Sequence, residues 1–379
     1  MAAAPQKSDL LAEFGSRDAR ARDEAWRYSK TALRALSQQE YVVADASAVV
    51  SGALLERFAG KETQRRRVVF VNGVLSAALS DFDAKDDAVE IRHETNSRSV
   101  LAISAEIPEP LHLVYLNIAG ARPSRWSATL DVEVSSGRVH LIEQHLGDDD
   151  GEVLGALTSD LRVGAGGELR HTLISDLPDS ASLYLRTRTK IHDDAALRTT
   201  HALFGGRLQR HDIDIDLAGR QARYESRGVF ALRARQHVDT HLDVRHSARD
   251  TASDIVWRGV ADERSRGIFY GGITVAEGAD GADARLSNKN LLLSPTAEID
   301  TQPALEIYAD EVKAAHGATV GQIDERSLFY LRSRGIPADE ARRMLIGAFS
   351  AVALDRVEES WLRERLAMLL APRGGGEGA

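Results

Sequence analysis

Twelve histidines and not one cysteine set the chemistry open to this 379-residue chain. Without a thiol there is no disulfide, no zinc–thiolate site, no cysteine nucleophile and no persulfide on the chain itself. The thiolates that ordinarily hold an iron–sulfur cluster are absent as well. Imidazole remains, and near neutral pH it is partly unprotonated, able to ligate a metal or pass a proton. Two stretches place it suggestively. In QHVDTHLDVRH, His237, His241 and His246 are interleaved with Asp239 and Asp243. Two imidazoles and a carboxylate at that spacing would suit Fe(II) or Zn(II), with His241 and His246 as the candidates, and plain surface histidines are the alternative. In DTQPALEIYADEVKAAHGATVGQ (300–322), a lone His316 stands beside Gly317 among alanines, in what reads as a small-residue turn that another chain could approach, with a structural or surface histidine as the alternative. Just before it, Leu305, Ile307 and Ala309 alternate with Glu306, Tyr308 and Asp310, which predicts a strand with one acidic face. Glu306 and Asp310 are therefore further candidate oxygen ligands.

Other chemistries find less support. Around Gly60-Lys61, Leu55 and Glu62 occupy positions where a phosphate-binding loop needs Gly and Ser or Thr, so ATP hydrolysis by this chain is not expected. Gly164-Ala165-Gly166-Gly167 lacks the third glycine of a dinucleotide fingerprint, since Leu169 stands there, and the sequence assigns no role to flavin. No GxSxG elbow is present. Asp148-Asp149-Asp150 and Asp212, Asp214 and Asp216 are the carboxylates a polysaccharide lyase or hydrolase would use. Aromatic residues make up only 6% of the chain, few for a groove that stacks sugars.

The elements that must position these residues are mostly strands. Helical spacing from Asp18, with Trp26, Leu33 and Leu36, predicts one amphipathic helix ending near Ser37. Tyr41–Val50 and Arg67–Leu79 are β-rich, and Asn72-Gly73 between apolar runs is a strong hairpin signal because both residues accept positive φ. From Val89 to Ile299 short alternating segments recur. In one, Ile213, Ile215 and Leu217 alternate with Asp212, Asp214 and Asp216; in another, Val238, Thr240, Leu242 and Val244 face one way and Asp239, His241, Asp243 and Arg245 face solvent. Almost no helical period interrupts them, which argues against a βαβ sheet and leaves a sandwich, a barrel or a solenoid. Beyond Gly321 the chain turns helical. Asp324–Arg332 opens with acids, Pro337 suits a first helical position, and Met344, Leu345, Ala348, Phe349, Val352 and Ala353 form an apolar stripe. A third helix follows with Val357, Trp361, Leu362, Leu366 and Leu369. Phe329, Leu345 and Phe349 are the candidate partner contacts on this tail. The expected division is 1–85 helical and mixed, 86–321 β, and 322–379 helical with a loose end.

A formal charge of −9, with arginines scattered among acids, argues against nucleic acid as a partner. No apolar run approaches the ~20 residues of a membrane span, and the first residues lack a secretory core, so a cytoplasmic protein is expected.

LEIYADEVKAAHGATVG, with the LFYLRSRGI that follows, closely resembles the C-terminal segment of the SufB/SufD family of iron–sulfur cluster assembly proteins. Trp257-Arg258-Gly259-Val260, 267–275 and 290–294 resemble the same family, with thinner likeness at 24–28 and 69–76 and little over 120–200. The resemblance implies a right-handed parallel β-helix flanked by an N-terminal helical or mixed region and a small C-terminal helical domain. It implies a scaffold rather than an enzyme. The sulfur-accepting branch of the family carries cysteines; this chain has none and, with its AWRY segment, resembles the cysteine-poor branch. His316 would then lie at the interface with a SufB-like homologue, ligating iron or a nascent cluster shared with a cysteine of that partner. The tail from Phe329 to Met368 would dock a SufC-like ATPase, and the isolated chain could form a homodimer. Some members carry a cysteine two residues before the histidine; here that position is Ala314.

Overall fold

The computed structural model describes residues 6–7, 26–58, 66–81, 88–95, 97–148, 151–352 and, beyond them, 354, 355, 357, 363, 364, 367 and 368. From Leu111 to Gly321 the chain is strand after strand, most of them ten residues long. Successive strands alternate between two sheets, and each pairs with the strand two places on, parallel and in register. Ser182 pairs with Leu208, 26 residues later, and Arg266 with Glu298, 32 residues later. The chain is thus a parallel β-solenoid, which resolves the choice between sandwich, barrel and solenoid. A single coil buries its apolar face only when the next coil stacks on it, so the core is one continuous column of Leu, Ile, Val and aromatic side chains.

The first sheet runs through Ser124–Val134, Val153–Val163, Ser182–Ile191, Leu208–Leu217, His237–His246 and Arg266–Val275 to Glu298–Ile307. The second runs from Arg67–Val71 through Leu111–Asn117, Arg138–Gly147, Glu168–Leu177, Ala196–Gly205, Arg223–Leu232, Ala252–Ala261 and Asp283–Leu292 to Lys313–Gly321. In-register stacking makes side chains form rows along the axis. One lumen-facing row reads Leu141, His171, Thr199, Ser226, Ile255, Leu286, His316.

One end is closed. The Asn72-Gly73 turn forms as expected, both residues at positive φ (48° and 79°), and Val74–Leu75 folds back antiparallel on Arg67–Val71. On the first sheet, Val89–Thr95 and Arg98–Ile103 make a second hairpin. Helix α1 (Lys30–Gln38) covers the outer face of the first sheet, with Trp26, Leu33, Leu36 and Tyr41 packed on Leu154, Tyr184 and Leu208. Trp26 itself lies in the turn before α1, and the earlier part of the expected helix lies outside the described residues. The strand expected over Tyr41–Val50 stops at Val43, and a short helix α2 (Gly52–Phe58) follows, burying Leu54 against Val69, Val71, Val114 and Leu116.

After the last strand come α3 (Glu325–Ser333) and α4 (Ala338–Ala351). Asp324 caps α3 by accepting from the backbone N–H groups of Arg326 and Ser327. Helix α4 lies against Ala252–Ala261, burying Ala341, Ile346 and Ser350. Leu354 and Val357 then join Ile174, Ala202, Phe204 and Val229 on the outer face of the second sheet. The third helix expected here falls mostly outside the described residues.

Candidate metal and partner site at the open end

His316 sits in the last strand of the second sheet, Lys313–Gly321, and not in a turn. The run AAHGA shows no alternation because small residues occupy both faces, yet pairing with Asp283–Leu292 satisfies the backbone groups on its inner edge. In register with Leu286, the imidazole is on the lumen side of its strand; it is exposed because no coil follows. A Cβ added at Gly317 or Gly321 would meet nothing within 4 Å. Alongside, Glu298–Ile307 ends the first sheet, and Pro303, which has no N–H to give a ladder, is tolerated in such an edge strand. Ile307, Tyr308 and Val320 are 42, 62 and 41% exposed.

Glu306 and Asp310 are also exposed there; Glu306 accepts a 3.3 Å bond from the Tyr308 hydroxyl. Among the described residues no group of three or more His, Asp or Glu side chains is arranged to hold a metal. His316, Glu306 and Asp310 therefore share one end of the molecule without forming a ligand set.

The His237–His246 stretch is organised differently from the expectation. His246 points into the lumen, wholly buried, with its ring nitrogens 2.9 Å from the Thr251 and Ser253 hydroxyls. His241, an odd number of residues away, lies on the outer face, stacked on Tyr270 with centroids 5.0 Å apart and Nε2 3.4 Å from Asp239. The two imidazoles are on opposite sides of one strand and cannot share an ion. Asp239, expected in solvent, is fully buried because α1 and the turn before it cover that part of the sheet. The Ser29 hydroxyl donates to Asp239 and bonds His237 at 3.0 Å, and Arg210 donates to Asp239 at 2.8 Å and to Asp212 at 2.6 Å. Burial alone would raise the Asp239 pKa, but the Arg210 charge together with the His241 and Ser29 interactions outweighs it and holds it below the usual carboxylate range. The Arg210 guanidinium lies 4.5 Å over the Trp26 ring. This is an ion cluster that seats α1.

The carboxylates a glycan-cleaving enzyme would need are likewise engaged. Asp212 accepts from Tyr184 and Arg210, Asp214 pairs with Arg186 at 3.4 Å, and Asp216 accepts from Ser247. Asp148 accepts from Ser51, and residues 149–150 lie outside the described ones.

On the helical tail, Phe329 is 73% exposed, with Tyr330 and Met344 exposed beside it. Leu345 and Phe349 are half-buried, and Arg258 of the solenoid lies 5.9 Å over the Phe349 ring. Of the three expected contacts, only Phe329 is fully presented; Leu345 and Phe349 also serve the packing of α4. Sequence alone gives His201 and His211 little signal and does not single out Glu143, His145 or His171, yet the fold brings all five into the lumen. Register sets Glu143 and His201 in one lumen row, on either side of Leu173, and His171 in the neighbouring row between Leu141 and Thr199, a placement that only the stacked coils reveal.

Comparison with known proteins bears on this geometry. Residues 126–349 match the family model described as the SufBD core domain of the SUF system for FeS cluster assembly. The chain belongs to the SufBD family. An iron–sulfur cluster assembly SufBD family protein of Synechocystis sp. is 26% identical, over 93% of this chain and 86% of its own. The iron–sulfur cluster assembly protein SufD of Escherichia coli is 28% identical, over 81% of this chain and 79% of its own. A SufBD family protein of Mycobacterium tuberculosis is 31% identical over 51% of each chain. The stretch that matches the SufBD core begins at Trp126, near the closed end, and runs through the terminal strands to α4, so His316, Glu306, Asp310, Phe329, Leu345 and Phe349 all lie within it. No helix among the described residues is long and apolar enough to cross a membrane.

Proposed function

We propose that this chain is the cysteine-free scaffold subunit of a SUF-type assembly complex in the cytoplasm, without turnover of its own. Its open end pairs with a SufB-like homologue, and α3 and α4, led by Phe329, dock a SufC-like ATPase that supplies the nucleotide chemistry. His316 serves as one nitrogen ligand to iron or a nascent cluster, which is the cargo of the complex. Mixed histidine and cysteine ligation of iron–sulfur centres is established chemistry. The observation that carries the reading is a lone imidazole on the lumen side of a terminal strand, in a chain with no cysteine. Thiolates for a cluster held there must come from the other chain. Glu306 and Asp310, exposed on the neighbouring strand and loop, are proposed as auxiliary oxygen donors once the partner has closed the end. His241 and His246 are not part of the site. The isolated chain, with the same edges free, forms a homodimer through them.

The test is reconstitution of the complex with the SufB-like and SufC-like subunits, comparing wild type with His316→Ala. The variant is expected to assemble normally and to accumulate markedly less cluster, read by visible absorbance. Wild-type cluster yield from a correctly assembled variant complex would refute the ligand role.

A further inference from the structure

Midway along the solenoid a carboxylate and four imidazoles share the lumen with aliphatic side chains such as Leu173 and Leu203. Glu143, His145, His171 and His201 come from three consecutive strands of the second sheet, and His211 faces them from Leu208–Leu217; none is more than 3% exposed. Glu143 accepts from His145 Nε2 at 2.6 Å and from His171 Nε2 at 2.9 Å, one imidazole on each oxygen. His145 stacks on Tyr115 with centroids 4.8 Å apart, and His201 on Trp257 at 5.4 Å. Both ring nitrogens of His201, Nδ1 of His145 and the hydroxyl of Ser175 have no hydrogen-bond partner among the described residues. His211 meets Gln209 at 3.4 Å, and Arg210 and Asp239 act on it from the other face of its strand.

One negative charge stands in this cluster, and it can balance one proton. A second proton, on His201 or His211, would place positive charge in the lumen beside other imidazoles, with no carboxylate in contact and no water shell. We propose that this cluster is an acid-sensitive clasp, through which mild acid opens the solenoid at its middle coils, whereas a solenoid lacking it loosens from its ends.

Burial pushes His201 well below the ordinary histidine value and His211 down to about 3, in each case with neighbouring imidazoles adding to the effect. In the unfolded chain both return to about 6.5. Between those limits the open state binds more protons than the closed one, so stability is present above about pH 6.5 and is lost as pH falls below it. Burial would raise Glu143, but the bonds and charge of His145 and His171 hold it below the carboxylate range, so its contribution is lost in stronger acid, with the same sign. Burial likewise lowers His112, His237 and His246 to about 4, but each lies apart from the cluster, so their effect is spread along the molecule.

Hydrogen–deuterium exchange of the full chain at pH 7.5 and 5.5, corrected for intrinsic rates, tests the proposal. Protection in Arg138–Gly147, Glu168–Leu177, Ala196–Gly205 and Leu208–Leu217 is expected to fall by about tenfold per shifted histidine per pH unit, and to fall further there than in Ala252–Ala261 and Arg266–Val275. His201→Phe, which keeps a ring on Trp257, is expected to remove most of that difference. Uniform loss, or loss beginning at the ends, would overturn the clasp, as would a His201→Phe profile identical to wild type. Should that variant fail to fold at pH 7.5, the wild-type exchange map decides on its own.

Discussion

The two ends of the solenoid are finished in opposite ways. At the closed end, Arg67–Val71 is backed by Val74–Leu75 through a tight turn, α2 buries Leu54 on its outer face, and the indole of Trp126 packs beneath Gly73. At the open end, Glu298–Ile307 and Lys313–Gly321 carry no cap among the described residues, and Ile307, Tyr308 and Val320 are exposed. Unpaired strand edges invite association, and proteins ordinarily blunt them. This chain blunts one end and leaves the other available, with the exposed imidazole of His316 at the mouth. The difference teaches that the two ends answer separate demands. The closed end supplies stability, and the open end is the surface proposed to receive a second chain.

Substitutions should separate the ends, beginning with the largest effect. Trp126→Ala removes an indole that is packed over Gly73 and Gly155 and donates to Asn117 at 3.0 Å. It is expected to cost about 3–5 kcal/mol, read as a lower urea midpoint. Asn72→Ala comes next. Its side chain donates to the carbonyls of Asp45 and Ile118 at 2.7 and 3.0 Å, accepts from the Ile118 N–H at 2.9 Å, and suits a positive φ. About 2–3 kcal/mol is expected, from the orphaned backbone groups. At the open end, Ile307→Ser and Val320→Ser should change the isolated chain by less than about 0.5 kcal/mol, while weakening association with the SufB-like homologue in a titration. A loss of stability as large as that of Asn72→Ala would break the comparison, because the open end would then be ordinary core.

Much of the scaffold is legible in the residues. The alternation in Asp212–Leu217 and the Asn72-Gly73 turn each specify local geometry by themselves, and the structure has both. What escaped reading depends on contacts distant in sequence. Asp239 is buried only because Ser29 and Trp26, some two hundred residues earlier, cover it. Helix α2 is seven residues long, too short to show a period. The strand that holds His316 has alanine and glycine on both faces, so only its register with Leu286 reveals it. The lumen histidines come together only through the stacking of coils, with His171 between Leu141 and Thr199 and His201 across Leu173 from Glu143. For the candidate site, residue type and spacing leave His316 a structural or surface histidine as readily as a ligand, and it is the resemblance carried by LEIYADEVKAAHGATVG that singles it out. Its exposure at an uncapped end required the fold.

The central claim is that the open end is where the second chain binds. Hydrogen–deuterium exchange of this chain, alone and with the SufB-like homologue, tests it most directly. Protection should rise in Glu298–Ile307 and Lys313–Gly321 and stay unchanged in Arg67–Val71 and Leu111–Asn117. Protection gained at the closed end, or no gain at the two terminal strands in a formed complex, would contradict it.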